Sequence, residues 1–238
     1  MTTSLQEKLD ILRNYSACDV SDALLKLQTP AEGAAERAGH LADFTPFSPM
    51  LGRNTALPKV IAPASTIKFI PKHAAIPTTE THGFPPGTHW VDWAEPGTIV
   101  LVDQPRGQHC AVVGGIMGMR MKALGVRGVL VNGRIRDLTE LHQAELPVWA
   151  LGTSTVGTGA EAKPAARNVA VDVGGVVVEP GDIIFCDPLE GVVAIPRNLL
   201  DRVLEVMPKL TAMDERVKDA VGNGSSVFDA FKEFRTKI

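Results

Sequence analysis

The sequence predicts one α/β domain with helices added at both ends, and three observations lead there. Residues 111–140 run in the order strand, glycine turn, helix, strand and acidic loop, the order of a βαβ unit with parallel strands. Apolar runs of strand length, Thr98–Asp103, Pro147–Leu151, Ile183–Cys186 and Val192–Ile195, alternate with Gly and Pro turns through the middle of the chain. Both ends instead place apolar residues at helical spacing: Leu9, Ile11 and Leu12 at one, Leu199, Leu200, Val203, Leu204 and Met207 at the other. No internal repeat and no Pro/Ser-rich linker divides the chain. Residues 1–238 therefore read as a single domain, with a core over about 60–196 and helical extensions over 1–30 and 197–238.

Taken in order, Leu5–Asn14 is a short helix. Cys18 to Asp22 opens a second, with Ser21 or Asp19 as its N-cap, running to about Leu27. Pro30–Pro58 is rich in Ala, Gly and Pro and lacks periodicity. It reads as a long loop that packs on another subunit or covers a site, or else as a mobile surface insertion. Val60–Phe69 alternates in part and reads as a strand. Pro71–His89 is turn-rich, and its His73, His82 and His89 lack paired or helical spacing, so they read as loop histidines. Trp90–Trp93 is a helical turn. After the central unit, Leu138–Ala144 is a helix, and Thr153–Lys163 is either a hydroxyl cradle for a ligand or a plain connection. Val169–Val173 and Val176–Val178 flank Gly174-Gly175 as a β-hairpin. Asp187 and Glu190 form the turn before the strand at Val192. A helix from Ser226 to about Arg235, capped by Ser225 or Ser226, closes the chain.

Composition excludes several classes. A net charge of −3 without a basic cluster gives no case for nucleic acid, and one Tyr with three Trp supplies no stacking platform. Three distant cysteines, Cys18, Cys110 and Cys186, fit a reduced intracellular protein, and none has a partner at metal-ligand spacing. No run approaches the ~20 apolar residues of a membrane span, and no secretory signal stands at the start. The expectation is a cytoplasmic protein with neither nucleic acid nor membrane as partner.

The chemistry concentrates in the central unit. Gly114-Gly115 follows the apolar run Ala111–Val113, and the helix Ile116–Leu124 stops at Gly125. The second strand, Gly128–Val131, is closed by Asn132-Gly133 and followed by Arg134, Arg136, Asp137 and Glu140. Ligands of parallel sheets bind beyond the carboxyl ends of the strands, where both the glycine turn and Arg136-Asp137 would lie. The turn offers backbone N–H groups to an anion, Arg136 a fork of donors to a carboxylate, and Asp137 a hard oxygen to a metal. Lys122 and Arg120 are not placed for Schiff-base chemistry.

Gly115, twenty intervening residues, Arg136-Asp137, two more, then Glu140: this spacing resembles the signature of the RraA-like superfamily. The superfamily holds the class II 4-hydroxy-4-methyl-2-oxoglutarate aldolases and oxaloacetate decarboxylases, and the regulator of ribonuclease activity A. Further matches in the right order are Asp19–Leu24, the run from Gly125, Leu146–Ala150, Val178–Asp182 and Asp187–Val192. The phrasing around Gly114–Arg136 is most similar to fungal members. The resemblance implies a swivelling β/β/α domain, similar to the phosphohistidine domain, assembled as trimers or hexamers. It implies Mg²⁺ or Mn²⁺ held by Asp137, and a pyruvyl group held by Arg136 and the amides of Gly114, Gly115, Ile116 and Met117. Glu140 favours an enzyme over the ribonuclease regulator. Ile116 and Met117 depart from the polar residue many bacterial members carry there. Acidic residues from a neighbouring subunit are also implied, with Glu32, Glu36, Asp214 and Glu215 as candidates.

The reactions expected are metal-dependent oxaloacetate decarboxylation and retro-aldol cleavage, both through a pyruvate enolate, with Arg136, Asp137 and Glu140 catalytic. Decarboxylation needs no general base, whereas aldol cleavage must remove a hydroxyl proton. The alternatives are a non-catalytic binding protein and a lyase for a bulkier 2-oxo or β-keto acid.

Overall fold

The computed structural model describes residues 3–29, 35–49, 57–76 and 82–235. Its spine is β3 (Val60–Pro71), long enough to serve three partners. The first residues of β3 pair antiparallel with β10 (Ile183–Asp187), the middle pairs parallel with β4 (Ile99–Asp103), and the end pairs antiparallel with β7 (Ala162–Arg167). Parallel pairing continues from β4 to β5 (Gly128–Ile135) and on to β6 (Val148–Thr153). Beyond β10 lies β11 (Gly191–Ile195), and the edges are β1 (His40–Leu41) and β2 (Thr45–Ser48).

The period-two pattern of the apolar strands explains the layers. Val100, Val102, Val129 and Val131 point to one core, while Ile99, Leu101 and Leu130 point to another. In β10 and β11 the same alternation sends Ile184, Cys186, Val192 and Ala194 to that second core, which thus lies between the two halves of the sheet. Such strands, buried on both faces, need continuous apolar sequence. The hairpin of β8 (Val171–Val173) and β9 (Val176–Val178) closes the middle core, turning on Gly174 and Gly175 with positive φ.

Helices cover the outer faces. Onto β10 and β11 pack α1 (Leu5–Leu12), α2 (Ala17–Leu27) and α5 (Leu200–Gly222), burying Leu12, Leu24, Val203 and Met207 against Phe185 and Ile195. Each such side chain contributes about 1.5–3 kcal/mol. The other face carries α3 (Gly115–Ala123) and α4 (Leu138–Gln143), through Met121 and Leu141. A last helix, α6 (Val227–Phe234), is capped by Ser226 and leans on α5. The architecture is the expected α/β class with helices at both ends.

Several local expectations are corrected. The cap of α2 is Ser16, not Ser21 or Asp19: the Ser16 hydroxyl accepts the Asp19 N–H, and the Asp19 carboxylate accepts the Ser16 N–H, completing a capping box. Ser21 instead donates to the Ala38 carbonyl. Within Pro30–Pro58, β1 and β2 are strands, paired at the sheet's two edges. Ala111–Val113 makes only single parallel bridges, so the first strand of the central βαβ unit is β4. Asn132-Gly133 does not close β5 but lies inside it, where the pairing with β6 shifts register. Ala162–Arg167 is strand β7, within and after what reads as a loop.

Candidate active site

The residues singled out around Gly114 and Arg136 converge because two chain segments run side by side. Val112 donates to the Arg134 carbonyl (2.9 Å), and Arg136 donates to the Val113 carbonyl (3.0 Å). That register sets Gly114 beside Arg136 and Asp137. Gly114 is the N-cap of α3 and has no side chain to satisfy the first-turn N–H groups. The Gly115 N–H donates instead to Asp137 Oδ2 at 3.3 Å, and Arg136 Nε lies 3.3 Å from the same oxygen. Asp137 has a left-handed backbone (φ 57°), a conformation Asp tolerates better than most residues; it ends the strand and starts α4 within one residue.

Close approach explains the glycines. A Cβ at Gly114 would stand 2.6 Å from Asp137 Oδ2. One at Gly115 would overlap Glu140 Oε2 and come within 2.5 Å of the Glu140 Cβ. At Gly118 it would overlap Leu141, so the glycines also let α3 lie on α4. Gly157 plays the same part for Arg136, since a Cβ there would be 3.0 Å from Nη1.

Arg136 and Asp137 stand between two clefts. One, of about 390 Å³, is lined by Gly114, by Ile116 and Met117 of α3, and by His89, Trp90 and Lys163. The other is bounded by His109, Arg134, Ser154 and Thr155. The Arg136 and Asp137 side chains are 44% and 38% exposed, open enough to meet a ligand. At that exposure their mutual ion pair adds little stability.

The donor set fits a hard divalent cation held mostly by non-protein oxygens. Asp137 takes both its protein contacts through Oδ2, and Glu140 lies over the same helix start. Among the described residues no group of three His, Cys, Asp or Glu is assembled, so Asp137 would be the direct ligand with Glu140 close by.

Other singled-out residues lie elsewhere. Asp214 pairs with Arg235 at 3.1 Å and Glu215 with Lys218 at 2.7 Å, both on α5, while Glu36 lines a separate cavity with Arg37 and Gly39. Glu32 falls outside the described residues. Arg120 pairs with Asp92, and Lys122 donates to the Glu145 carbonyl. Asp187 is buried and serves a turn, accepting from the Leu189 N–H. In Thr153–Lys163, Thr158 donates to the Ala111 carbonyl and Ser154 accepts from the Val156 N–H, so both hydroxyls hold the loop.

Sequence reasoning missed His89, Lys163, Gly157 and Glu161 as neighbours of the site. Glu161 accepts the N–H groups of His109 (2.6 Å) and Cys110 (2.7 Å), which hold its carboxyl below the usual range. Burial pushes the Cys110 and Cys186 thiols up, so both are inert core residues.

Fold and site together define a mixed α/β domain with an Arg–Asp pair set against a glycine-built helix start. The chain belongs to the RraA-like family, described as Aldolase/RraA, whose model matches residues 17–194. It is 25% identical to protein DlpA of Legionella pneumophila over 226 residues, 95% of this chain and 33% of that protein. It is 30% identical to the "Putative 4-hydroxy-4-methyl-2-oxoglutarate aldolase" of Halalkalibacterium halodurans over 140 residues, 59% of this chain and 66% of that one. The chain thus spans a third to just under two thirds of the curated relatives it matches. Among solved structures, an uncharacterized protein from Pseudomonas syringae superposes with TM-score 0.70 at 22% identity, covering 97% of this chain and 99% of that one. RraAS2 of Streptomyces coelicolor, titled an unusual member of the RNase ES inhibitor RraA protein family, gives 0.67 at 23%, covering 94% and 100%. At these identities the likeness is one of fold.

Proposed function

We propose that this chain is a divalent-metal-dependent carbon–carbon lyase acting on 2-oxo acids: oxaloacetate decarboxylation, retro-aldol cleavage of 4-hydroxy-4-methyl-2-oxoglutarate, or both. The observation that carries the reading is the convergence of the Gly115 N–H, the Arg136 guanidinium and the Asp137 carboxylate on one point of the cleft. The relatives named as aldolases support the same chemistry.

The N–H groups of Ile116 and Met117 in the first turn of α3, beside the Gly115 N–H that is given to Asp137, bind the carboxylate of the pyruvyl part, a role backbone donors fill whatever the side chains. Arg136 holds the oxygen on which enolate charge develops; one such contact is worth ~3–4 kcal/mol of barrier. Asp137 would hold Mg²⁺ or Mn²⁺, and Glu140 would orient water at the ion. When bound, the ion supplies Lewis-acid polarisation of the 2-oxo acid. Lys163, which lines the same cleft as Arg136, adds a second positive charge suited to a dicarboxylate. Ile116, exposed at the cleft, gives an apolar wall. No acid that could serve as base for the aldol reaction lines this cleft apart from Asp137 among the described residues. His89 lines the cleft as a candidate base, and a neighbouring subunit of a trimer or hexamer is proposed to supply the acidic residues the cleft lacks. No helix among the described residues is long and apolar enough to cross a membrane.

The test is turnover of both substrates with Mg²⁺, with Mn²⁺ and after chelation. Chelator-sensitive pyruvate formation from either supports the reading. A metal-loaded protein that releases no pyruvate from either points to a non-catalytic binding member of the family.

A further inference from the structure

We propose that Gln104 is the positioning residue of this site, its side-chain carboxamide taking the place of a peptide group in the hydrogen-bond ladder along β5. Its importance for turnover rests on the lyase reading; its geometry does not. The main chain of β4 follows β5 only as far as Asp103, opposite Asn132, and the Gln104 N–H makes the last rung to the Asn132 carbonyl at 3.2 Å. The next donor on that flank, the Arg134 N–H, is taken by Gln104 Oε1 at 2.9 Å. After it the rungs pass to Val112, which donates to the Arg134 carbonyl, and Val113, which accepts from Arg136. The carboxamide therefore bridges the gap between the end of β4 and the segment Val112–Val113.

Its other end secures that segment. Gln104 Nε2 donates to the Cys110 carbonyl at 2.8 Å, and the residue is only 4% exposed. Both ends of the amide are thus paired in a buried place, where an unpaired N–H or C=O is costly. Gly133 makes room: a Cβ there would overlap Gln104 Oε1 and stand 2.6 Å from its Cβ. From the opposite side Glu161 grips the same segment through the N–H groups of His109 and Cys110.

The consequence lies immediately downstream on both segments. Val113 leads into Gly114-Gly115, and Ile135 leads into Arg136-Asp137, so the register set by Gln104 fixes how far apart the two halves of the site stand. A misplacement of ~1 Å can cost about 10²-fold in rate.

Two variants of the full chain test this. Gln104→Leu removes both bonds at similar volume. Gln104→Glu keeps an acceptor for the Arg134 N–H but sets a carboxylate oxygen against the Cys110 carbonyl until it is protonated. In Gln104→Leu the amide hydrogens of Val112, Arg134 and Arg136 should exchange at least ~10-fold faster, with those of Leu101 and Leu130 unchanged. In Gln104→Glu, kcat/KM should fall at least ~10-fold near pH 8 and recover as the pH is lowered and the introduced carboxyl takes a proton. Unchanged exchange at Val112 and Arg136, or a Gln104→Glu protein with wild-type turnover near pH 8, overturns the proposal. If Gln104→Leu does not fold, the exchange measurement passes to Gln104→Glu, read near pH 8 and again at lower pH. A wild type that turns over no 2-oxo acid defeats the lyase reading alone, because the exchange pattern decides the positioning claim without substrate.

Discussion

Two aspartates close strands of the same sheet in opposite surroundings. Asp187, at the end of β10, is buried; its Oδ1 accepts the Leu189 N–H, its Oδ2 accepts the Ala17 N–H at the start of α2, and Lys59 Nζ stands 3.8 Å away. Asp137, just past the end of β5, is more than a third exposed and meets Gly115 and Arg136 through a single oxygen. The first ties the chain to itself. The second leaves acceptor capacity facing a cleft. A carboxylate whose lone pairs are used up inside the protein is structural, and one held in place but only partly used is free to do chemistry.

Substitutions on either side should separate rate from stability. The largest effect is expected at the open end. Arg136→Ala should slow decarboxylation and aldol cleavage alike by on the order of 10² or more, with the thermal midpoint nearly unchanged. Arg136→Lys should recover little, because a point charge does not reproduce the planar fork. Steady-state kinetics on both substrates checks this; a large loss in one reaction only would break the shared-enolate account.

Asp187→Ala should do the reverse. It removes the acceptors for two N–H groups and the partner of Lys59, at a cost of about 1–3 kcal/mol by denaturant titration, while turnover per folded molecule stays at the wild-type level. Gly115→Ala probes room rather than charge. The added Cβ has to displace Glu140, so we expect a stability loss of about 1–3 kcal/mol together with a fall in turnover.

The smallest effect belongs to a third strand-end aspartate. Asp103 closes β4, and burial pushes its carboxyl up, partly offset by the Asn132 amide at 2.8 Å. The folded state thus favours its neutral form more than the unfolded chain does. Between the unfolded value of ~3.9 and the raised folded value, the folded protein therefore binds more protons than the unfolded chain. The contribution of Asp103 grows as pH falls through the folded value and is lost as pH rises again. Thermal midpoints of wild type and Asp103→Asn from about pH 7 to pH 4 should show wild type gaining on the variant as the pH drops.

Much of this arrangement was legible in the chain. Gly125 as a helix stop, Gly174-Gly175 as a hairpin turn and the helical periodicity of Leu199–Met207 are local signals, and each feature lies where its signal falls. Strand β7 was not legible: Lys163, Pro164 and Arg167 carry little strand propensity, and its pairing comes from the far end of β3. The edge strands β1 and β2 are too short to show a period. At the site, the spacing of Gly115, Arg136, Asp137 and Glu140 anticipated their proximity. Gln104 and Gly157 escaped because their contacts arise between segments distant in sequence. Only a polar Gln two residues past the buried run Ile99–Val102 hinted that something inside needed an amide.

On the proposed function Asp137 serves an external ligand, unlike its buried counterpart. Asp137→Ala and wild type should be compared side by side for Mn²⁺ binding, turnover of oxaloacetate and thermal midpoint. The variant should lose measurable Mn²⁺ binding and metal-dependent turnover while unfolding within a few degrees of wild type. A variant that binds Mn²⁺ and turns over oxaloacetate like wild type would contradict it.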